Sequence, residues 1–242
     1  MPVGAGTSTF TPGYNCDTFD VYYIDYGNGA AQVSIDAGAA TALTGTSTNT
    51  IKKITLTAAA ASNHVLNFAT ITANTVFIVC VDAYLSTTKQ VRVANAGVSG
   101  SGATHWATAN PNYSPADCIK AWAPDLSIIM LGINDAGGAR TAAQFHTDML
   151  VTINAAKTSG DVVICSVIPS QDGPTNTLEA AYQADMKAYA AANNIGFLDI
   201  YARFGSYATA NTAGLMANTL HPNGPGYADV AGAAYGALRA IA

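Results

Sequence analysis

The stretch DLSIIMLGIND, residues Asp125 to Asp135, decides how the rest of the chain is read. Leu126, Ile128, Ile129, Met130 and Leu131 form an almost unbroken apolar run, the pattern of a strand buried on both faces of a parallel sheet. Gly132 ends the run, and Asn134 and Asp135 follow where such a strand emerges. In open α/β sheets ligands gather outside the carboxyl ends of the strands. An amide and a carboxylate therefore stand where a site is expected. Gly, Asn and Asp are also turn formers, and on these residues alone a tight turn reads equally well.

Working outward, the chain on both sides alternates strand and helix patterns. Upstream, QVRVANAG (residues 90–97) reads as a short strand running into a Gly- and Ser-rich loop, Gly97 to Gly102. Ser114 followed by Pro115 is a helix start, and that helix runs to about Ala123. Downstream, Phe145, Met149, Ile153 and Ala156 share one face of a helix over Thr141 to Ser159, which Gly160 stops. DVVICSVIPS is a second buried strand, Thr177 to Asn193 a helix, IGFLDI a further strand, and Gly226 to Ala242 a closing helix. This alternation predicts an α/β domain over residues 90–242, a parallel sheet between helical layers.

Before residue 90 the pattern is different. FDVYYIDYG, AAQVSIDAG, TIKKITLTA, HVLNFATI and NTVFIVCVDAYL have strand length and are separated by turn signals, which predicts a small antiparallel β-sandwich or jelly roll over 14–89. Met1 to Gly13 reads as a linker. It has neither the basic region nor the apolar core of a secretory signal, and the compartment stays open. His64 reads as structural. Cys80 and Cys165, inside apolar runs, read as small buried side chains.

Composition narrows the function. Only 10% of the 242 residues are charged, against roughly 25% in ordinary soluble domains. A net charge of −5 offers no basic patch to meet phosphates, so nucleic acid is not an expected partner. No run approaches the ~20 apolar residues of a membrane span. The cysteines show no zinc spacing, and neither a metal nor any other cofactor is expected. Tyr22, Tyr23 and Tyr26 are candidates for stacking on sugar rings, but strand alternation makes most of them core or cross-strand pairs. Trp106 and Trp122 read as packing residues.

Two further motifs complete the set. NTLHPNGPGY, Asn218 to Tyr227, puts His221 on a loop with Pro222 behind it, suited to a general base or to an incidental place before a helix. NAGVSGSG, Asn95 to Gly102, follows a strand and frees backbone N–H groups to meet a ligand. In this order, GIND at Gly132 to Asp135, LHP at Leu220 to Pro222 and NAGVSG resemble the SGNH or GDSL family of hydrolases over roughly Val91 to Ala242. The resemblance implies a flavodoxin-like α/β/α layer fold and acyl transfer to water through a seryl ester. It makes His221 the general base. Asn134 and the Gly100 N–H become oxyanion donors, each worth ~3–4 kcal/mol in such sites.

Two departures from the family's pattern stand out. No Gly-Asp-Ser and no GxSxG elbow occurs, and Ser99, Ser101, Ser166 and Ser170 occupy no sharp strand-to-helix turn. The resemblance thus implies that the first strand, its serine and the first helix belong to an upstream segment or a second chain. Asn218 stands three residues before His221, where the family carries Asp. In a serine protease that exchange lowers turnover about 10⁴-fold through the wrong imidazole tautomer. Asp229 and Asp135 are the other acids available to orient His221. The resemblance points to an acylated carbohydrate as substrate, foremost O-acetyl groups on a polysaccharide, in an extracellular or virion setting. A non-catalytic carbohydrate-binding or structural module of phage-tail type is the alternative.

Overall fold

A computed structural model describes residues 2–3, 6–27, 29–45, 48, 50–71, 76–108, 114–171 and 173–239. They fall into two compact units, residues 1–96 with 109–122, and residues 97–108 with 123–242.

The first unit holds β1 (Pro2–Val3), β2 (Thr7–Phe10), β3 (Cys16–Ile24), β4 (Ala30–Ile35), β5 (Thr41–Thr44), β6 (Ile51–Ser62), β7 (Leu66–Thr70) and β8 (Val76–Tyr84). They form two antiparallel four-stranded sheets, ordered β1-β8-β3-β6 and β2-β7-β4-β5. Alternation explains the core. Phe19, Val21 and Tyr23 of β3 pack with Val33 of β4 and with Leu66 and Phe68 of β7 in one apolar cluster shared by both sheets.

The expected linker over residues 1–13 is corrected by β1 and β2, which pair with β8 and β7. Thr-Ser-Thr-Phe has strand propensity that its polar composition masks; Met1, Gly4 and Ala5 lie outside the described residues. Cys80 is exposed, not buried, because the register shifts opposite Tyr22 and Tyr23 and turns the strand there. The turn signals at Asn28 and Ser47, and Asn74 and Thr75 at the start of the last expected strand, lie outside the described residues.

His64 ties the end of β6 to the turn after β4. Its Nδ1 lies 2.7 Å from Asp36 Oδ2 and its Nε2 2.8 Å from the Ala60 carbonyl. Both partners accept, so both ring nitrogens donate only in the imidazolium form. The Ala60 carbonyl and then the Asp36 carboxylate raise the His64 pKa above the ordinary imidazole value. Its stabilisation is thus complete below about pH 6.5, the unfolded value, and fades as pH rises through the higher folded value. The unfolding temperature of this unit should be lower at about pH 8 than at about pH 5.5, and His64→Gln should shrink that difference. An unchanged difference would remove His64 from the pH response.

The predicted strand at 90–97 does not form. Val91 and Val93 are 92% and 89% exposed and lie outside any strand, while Arg92 is held by Asp82 and stacks on Tyr84. Apolar alternation alone does not supply a neighbouring strand. The predicted helix after Ser114 is present as α2 (Pro115–Trp122), capped through Ser114 and Asp117, and belongs to the first unit.

The second unit is α/β. It contains α1 (Ala103–Ala107), β9 (Leu126–Met130), α3 (Ile133–Gly137), α4 (Ala142–Ala156), β10 (Asp161–Cys165), α5 (Gly173–Ala192), β11 (Gly196–Leu198), α6 (Ile200–Phe204), α7 (Tyr207–Thr212) and α8 (Gly224–Arg239). The sheet is parallel and ordered β11-β10-β9. Ile129 and Ile164 share one face with Phe145, Met149 and Ile153 of α4 and Tyr182 and Met186 of α5 among the buried residues. Leu198 instead joins a cluster with Ile200, Phe204, Ala210, Met216 and Val230. Thr141 caps α4 reciprocally with Gln144, as its sequence demands. The expected end of α8 at Ala240 to Ala242 lies outside the described residues. Among the described residues no helix is long and apolar enough to cross a membrane.

Candidate active site

The two strands that set the site are β9 and β10, whose carboxyl ends open on one rim. After β9 the chain turns through Gly132, at φ 135°, a conformation that a side chain resists. An added Cβ there would also meet Phe145 and Tyr182 at 3.4 Å. Beyond Gly132 the chain forms not a simple turn but α3, which aims Asn134 outward and Asp135 inward.

Asn134 is exposed and donates from Nδ2 to the Ser101 carbonyl at 2.9 Å. Asp135 is 2% exposed and accepts from the backbone N–H of Ala103 at 2.8 Å and of Thr104 at 3.3 Å. The pair therefore clamps the loop 97–102 and the start of α1 onto the end of β9. Gly102 is obligatory in this clamp, since a Cβ would stand 2.6 Å from Asp135 Oδ2. Gly100, exposed and at φ 77°, sits in the turn closed by Ser101 N–H donating to the Val98 carbonyl. Asn134 and Gly100 are thereby brought together, one residue apart through Ser101.

The loop that carries His221 is tied to the segment that follows β10. Gln171 N–H, beyond the end of β10, donates to the Thr219 carbonyl at 3.0 Å. The loop closes on itself: Ala217 N–H donates to the His221 carbonyl, and Met216 bridges to Pro222. Asn223 then anchors it from behind. Its Oδ1 accepts from Gly226 N–H at 3.0 Å, which caps α8, and its Nδ2 donates to the Gly214 carbonyl at 2.7 Å. Gly226 has no room for a side chain: a Cβ would stand 2.2 Å from the Leu215 carbonyl oxygen and 2.8 Å from Pro222. Gly226→Ala should therefore displace the His221 loop, read as an altered His221 imidazole resonance in NMR. An unshifted resonance would show that the loop does not depend on that contact. Among the described residues no hydrogen bond joins His221 to Asn134 or to Gly100.

Asn218 does something its identity alone conceals. Its Oδ1 accepts from the backbone N–H of Leu220 at 2.9 Å and of His221 at 2.8 Å. Two donors fix the amide with its oxygen, not its NH₂, toward the ring, and His221 Nδ1 lies 3.2 Å from that oxygen. The imidazole proton is therefore held on Nδ1, which leaves Nε2 as the basic nitrogen. The wrong-tautomer penalty expected for Asn at this position does not arise. Neither other acid orients His221: Asp135 is engaged at α1, and Asp229 takes both Nε and Nη2 of Arg203 at 2.6 and 2.8 Å. The Arg203 guanidinium holds the Asp229 carboxyl below its ordinary range.

Two of these serines have structural partners. Ser101 Oγ donates to the Val98 carbonyl and accepts from Trp106 Nε1, and Ser166 Oγ accepts from Tyr201 N–H; Ser170 is fully buried, and among the described residues its Oγ has no hydrogen-bond partner. Among the described residues no hydroxyl or thiol hydrogen-bonds to His221, and no group of three His, Cys, Asp or Glu could hold a metal ion. Two contributors escaped the reading of the sequence. Asn223 carried a signal, an Asn just before a Gly-Pro helix start. Gln171 carried none, because it acts through its backbone.

The family model for GDSL-like lipases and acylhydrolases matches residues 72–228. Among solved structures, a lipolytic protein of the G-D-S-L family from Veillonella parvula is 26% identical, with 50% of this chain and 70% of that one covered and a TM-score of 0.44. A catalytic mutant of an acetylxylan esterase from Geobacillus stearothermophilus is 22% identical over 60% of this chain and 71% of that one, with a TM-score of 0.49. A protein from Lactobacillus plantarum is 20% identical over 60% and 80%, also with a TM-score of 0.49. No curated protein matches the chain. With the family model spanning well over half its length, the chain belongs to the GDSL-like lipase/acylhydrolase family, a family of ester hydrolases.

Proposed function

We propose that this chain is the base-and-oxyanion half of a serine ester hydrolase, and that the nucleophilic serine comes from a segment outside residues 1–242. The observation that carries the reading is the Asn218–His221 geometry: an imidazole held with Nε2 basic and, among the described residues, aimed at no partner in its own chain. In the reaction the serine oxygen attacks the ester carbonyl while its proton passes to His221 Nε2. The Gly100 N–H, the Asn134 amide and the serine's own N–H stabilise the oxyanion. The alkoxide leaves with the proton from His221. Water, deprotonated by the same nitrogen, then hydrolyses the acyl-serine and returns the enzyme.

The substrate we assign is an O-acetylated polysaccharide. A surface poor in charge suits a neutral glycan, and one of the similar solved structures is an acetylxylan esterase. The double-sheet unit is read as a jelly-roll sandwich, on its eight strands in two sheets, that holds the glycan. An extracellular or virion setting follows from such a substrate.

The test supplies an upstream Gly-Asp-Ser segment and measures hydrolysis of p-nitrophenyl acetate and of acetylated xylan. Ester cleavage that disappears when the added serine is changed to Ala supports the reading. A folded, serine-bearing protein that cleaves neither ester and takes no fluorophosphonate label removes it. The second reading, a glycan-binding module without catalysis, is favoured by the engagement of Ser101 and Ser166; glycan binding without labelling would select it.

A further inference from the structure

Beyond β10 the chain runs through residues 166–170, all of them buried, without belonging to a strand or a helix. Buried backbone groups outside regular structure still need partners. Two residues of α5 supply them at Ser170. Glu179, fully buried, accepts through Oε2 from the Ser170 N–H at 2.8 Å. Asn176 donates from Nδ2 to the Ser170 carbonyl at 2.7 Å. The Tyr201 hydroxyl of α6 donates to Asn176 Oδ1, which fixes that amide with its NH₂ toward Ser170. The Ser170 hydroxyl has no part in this, since among the described residues its Oγ has no hydrogen-bond partner. What α5 holds is the main chain.

The next peptide group leads to His221. The Ser170 carbonyl and the Gln171 N–H belong to one planar unit and point in opposite directions. With the carbonyl tied to Asn176, the N–H faces away from that side chain and donates to the Thr219 carbonyl at 3.0 Å. Thr219 is followed directly by Leu220 and His221, whose N–H groups both donate to Asn218 Oδ1. The choice of acceptor is also informative. Glu179 lines a cavity with Phe145, Met149, Ile164 and Met186, and burying a carboxylate among such neighbours costs free energy that a neutral acceptor would not. A charged acceptor gives the shorter and stronger bond in return.

We infer that Glu179 and Asn176 are positioning residues for His221: together they fix the peptide plane between Ser170 and Gln171, and that plane holds the imidazole loop in place through Thr219. This rests on the reading of His221 as the general base, and it gives α5 a part in the reaction. Among the described residues neither side chain hydrogen-bonds to the imidazole, so both act through one backbone N–H. A role confined to filling a buried turn would stabilise residues 166–170 and leave the imidazole indifferent. The two roles separate in what His221 reports.

The experiment uses the full chain labelled with ¹⁵N and reads two signals, the ring nitrogens of His221 and amide exchange at Gln171. Glu179→Ala and Asn176→Ala should each speed that exchange roughly tenfold or more and shift the ring nitrogens, at a temperature where the unit stays folded. Glu179→Gln keeps an accepting oxygen and should return both signals to parental values. In the serine-supplied enzyme the two Ala variants should lower kcat by about 10²-fold with KM unchanged, the loss that a misplacement of about 1 Å produces. Signals that move in the Ala variants and return in Glu179→Gln support the assignment. Ala variants that lose stability while exchange at Gln171 and the His221 ring stay parental overturn it, whatever the turnover. A Glu179→Gln protein as perturbed as Glu179→Ala overturns the part given to Glu179. Should Glu179→Ala fail to fold, Asn176→Ala, at a half-buried position, decides by the same two signals. Moved ring signals with unchanged kcat support the positioning and overturn the reading of His221 as the base.

Discussion

With its serine supplied, His221→Ala lowers kcat/KM for p-nitrophenyl acetate by roughly 10²–10⁴-fold, the range that a positioned general base contributes. The loss falls on kcat, because Nε2 acts on a proton in flight and not on the bound ester. The Asn218 variants should separate orientation from charge. Asn218→Ala removes the acceptor that holds the proton on Nδ1 and frees the Leu220 and His221 N–H groups, so the loop loosens and the tautomer mixes. Asn218→Asp keeps all three contacts and adds a charge that stabilises the imidazolium. The tautomer is already the productive one, so the gain should lie far below the ~10⁴ tied to a wrong tautomer. Steady-state kinetics on the three variants decide the matter. A His221→Ala protein as active as its parent would take the imidazole out of the reaction, and a 10⁴-fold rise in Asn218→Asp would show that the amide faces the ring with its NH₂.

These contrasts show what the residues disclosed in one dimension. Periodicity located α4 and β10 because their apolar faces are complete: each buried position is covered, so burial and sequence pattern coincide. It failed at 90–97 for the opposite reason. Val91 and Val93 have the alternation of a strand, but a strand is a relation between two segments, and among the described residues none pairs with them. The same logic hid β1, only Pro2–Val3, and β2, the polar Thr7–Phe10, which are strands only once β8 and β7 are beside them. At the site, Asn134 and His221 were legible from GIND and LHP, since a polar group after an apolar run is a local signal. The orientation of the Asn218 amide was not. It is set by two backbone N–H groups, and nearly every residue carries one.

The second large effect is on stability, and it tests whether the oxyanion loop is held by charge. Asp135→Ala should destabilise the α/β unit by about 2–4 kcal/mol, from the loss of two hydrogen bonds to a buried carboxylate at roughly 1.5–3 kcal/mol for the stronger and less for the longer. The group is 2% exposed, so no water replaces it, and the Ala103 and Thr104 N–H groups at the start of α1 lose their acceptor. Asp135→Asn retains one acceptor and should cost about half as much. Gly102→Ala should approach the Asp135→Ala value for a different reason: its Cβ would stand 2.6–2.7 Å from the carboxylate atoms and push them off α1. Urea unfolding followed by exchange at Ala103 reads both effects, with the double-sheet unit as internal control. Because Ser101 and Gly100 lie just before α1, releasing its first turn also moves the Gly100 N–H that we propose as an oxyanion donor. Turnover of the serine-supplied enzyme should then fall even in buffer where the fold persists. Equal stability in Asp135→Ala and its parent would mean that packing of α1 against α4 holds the loop and the carboxylate is a passenger.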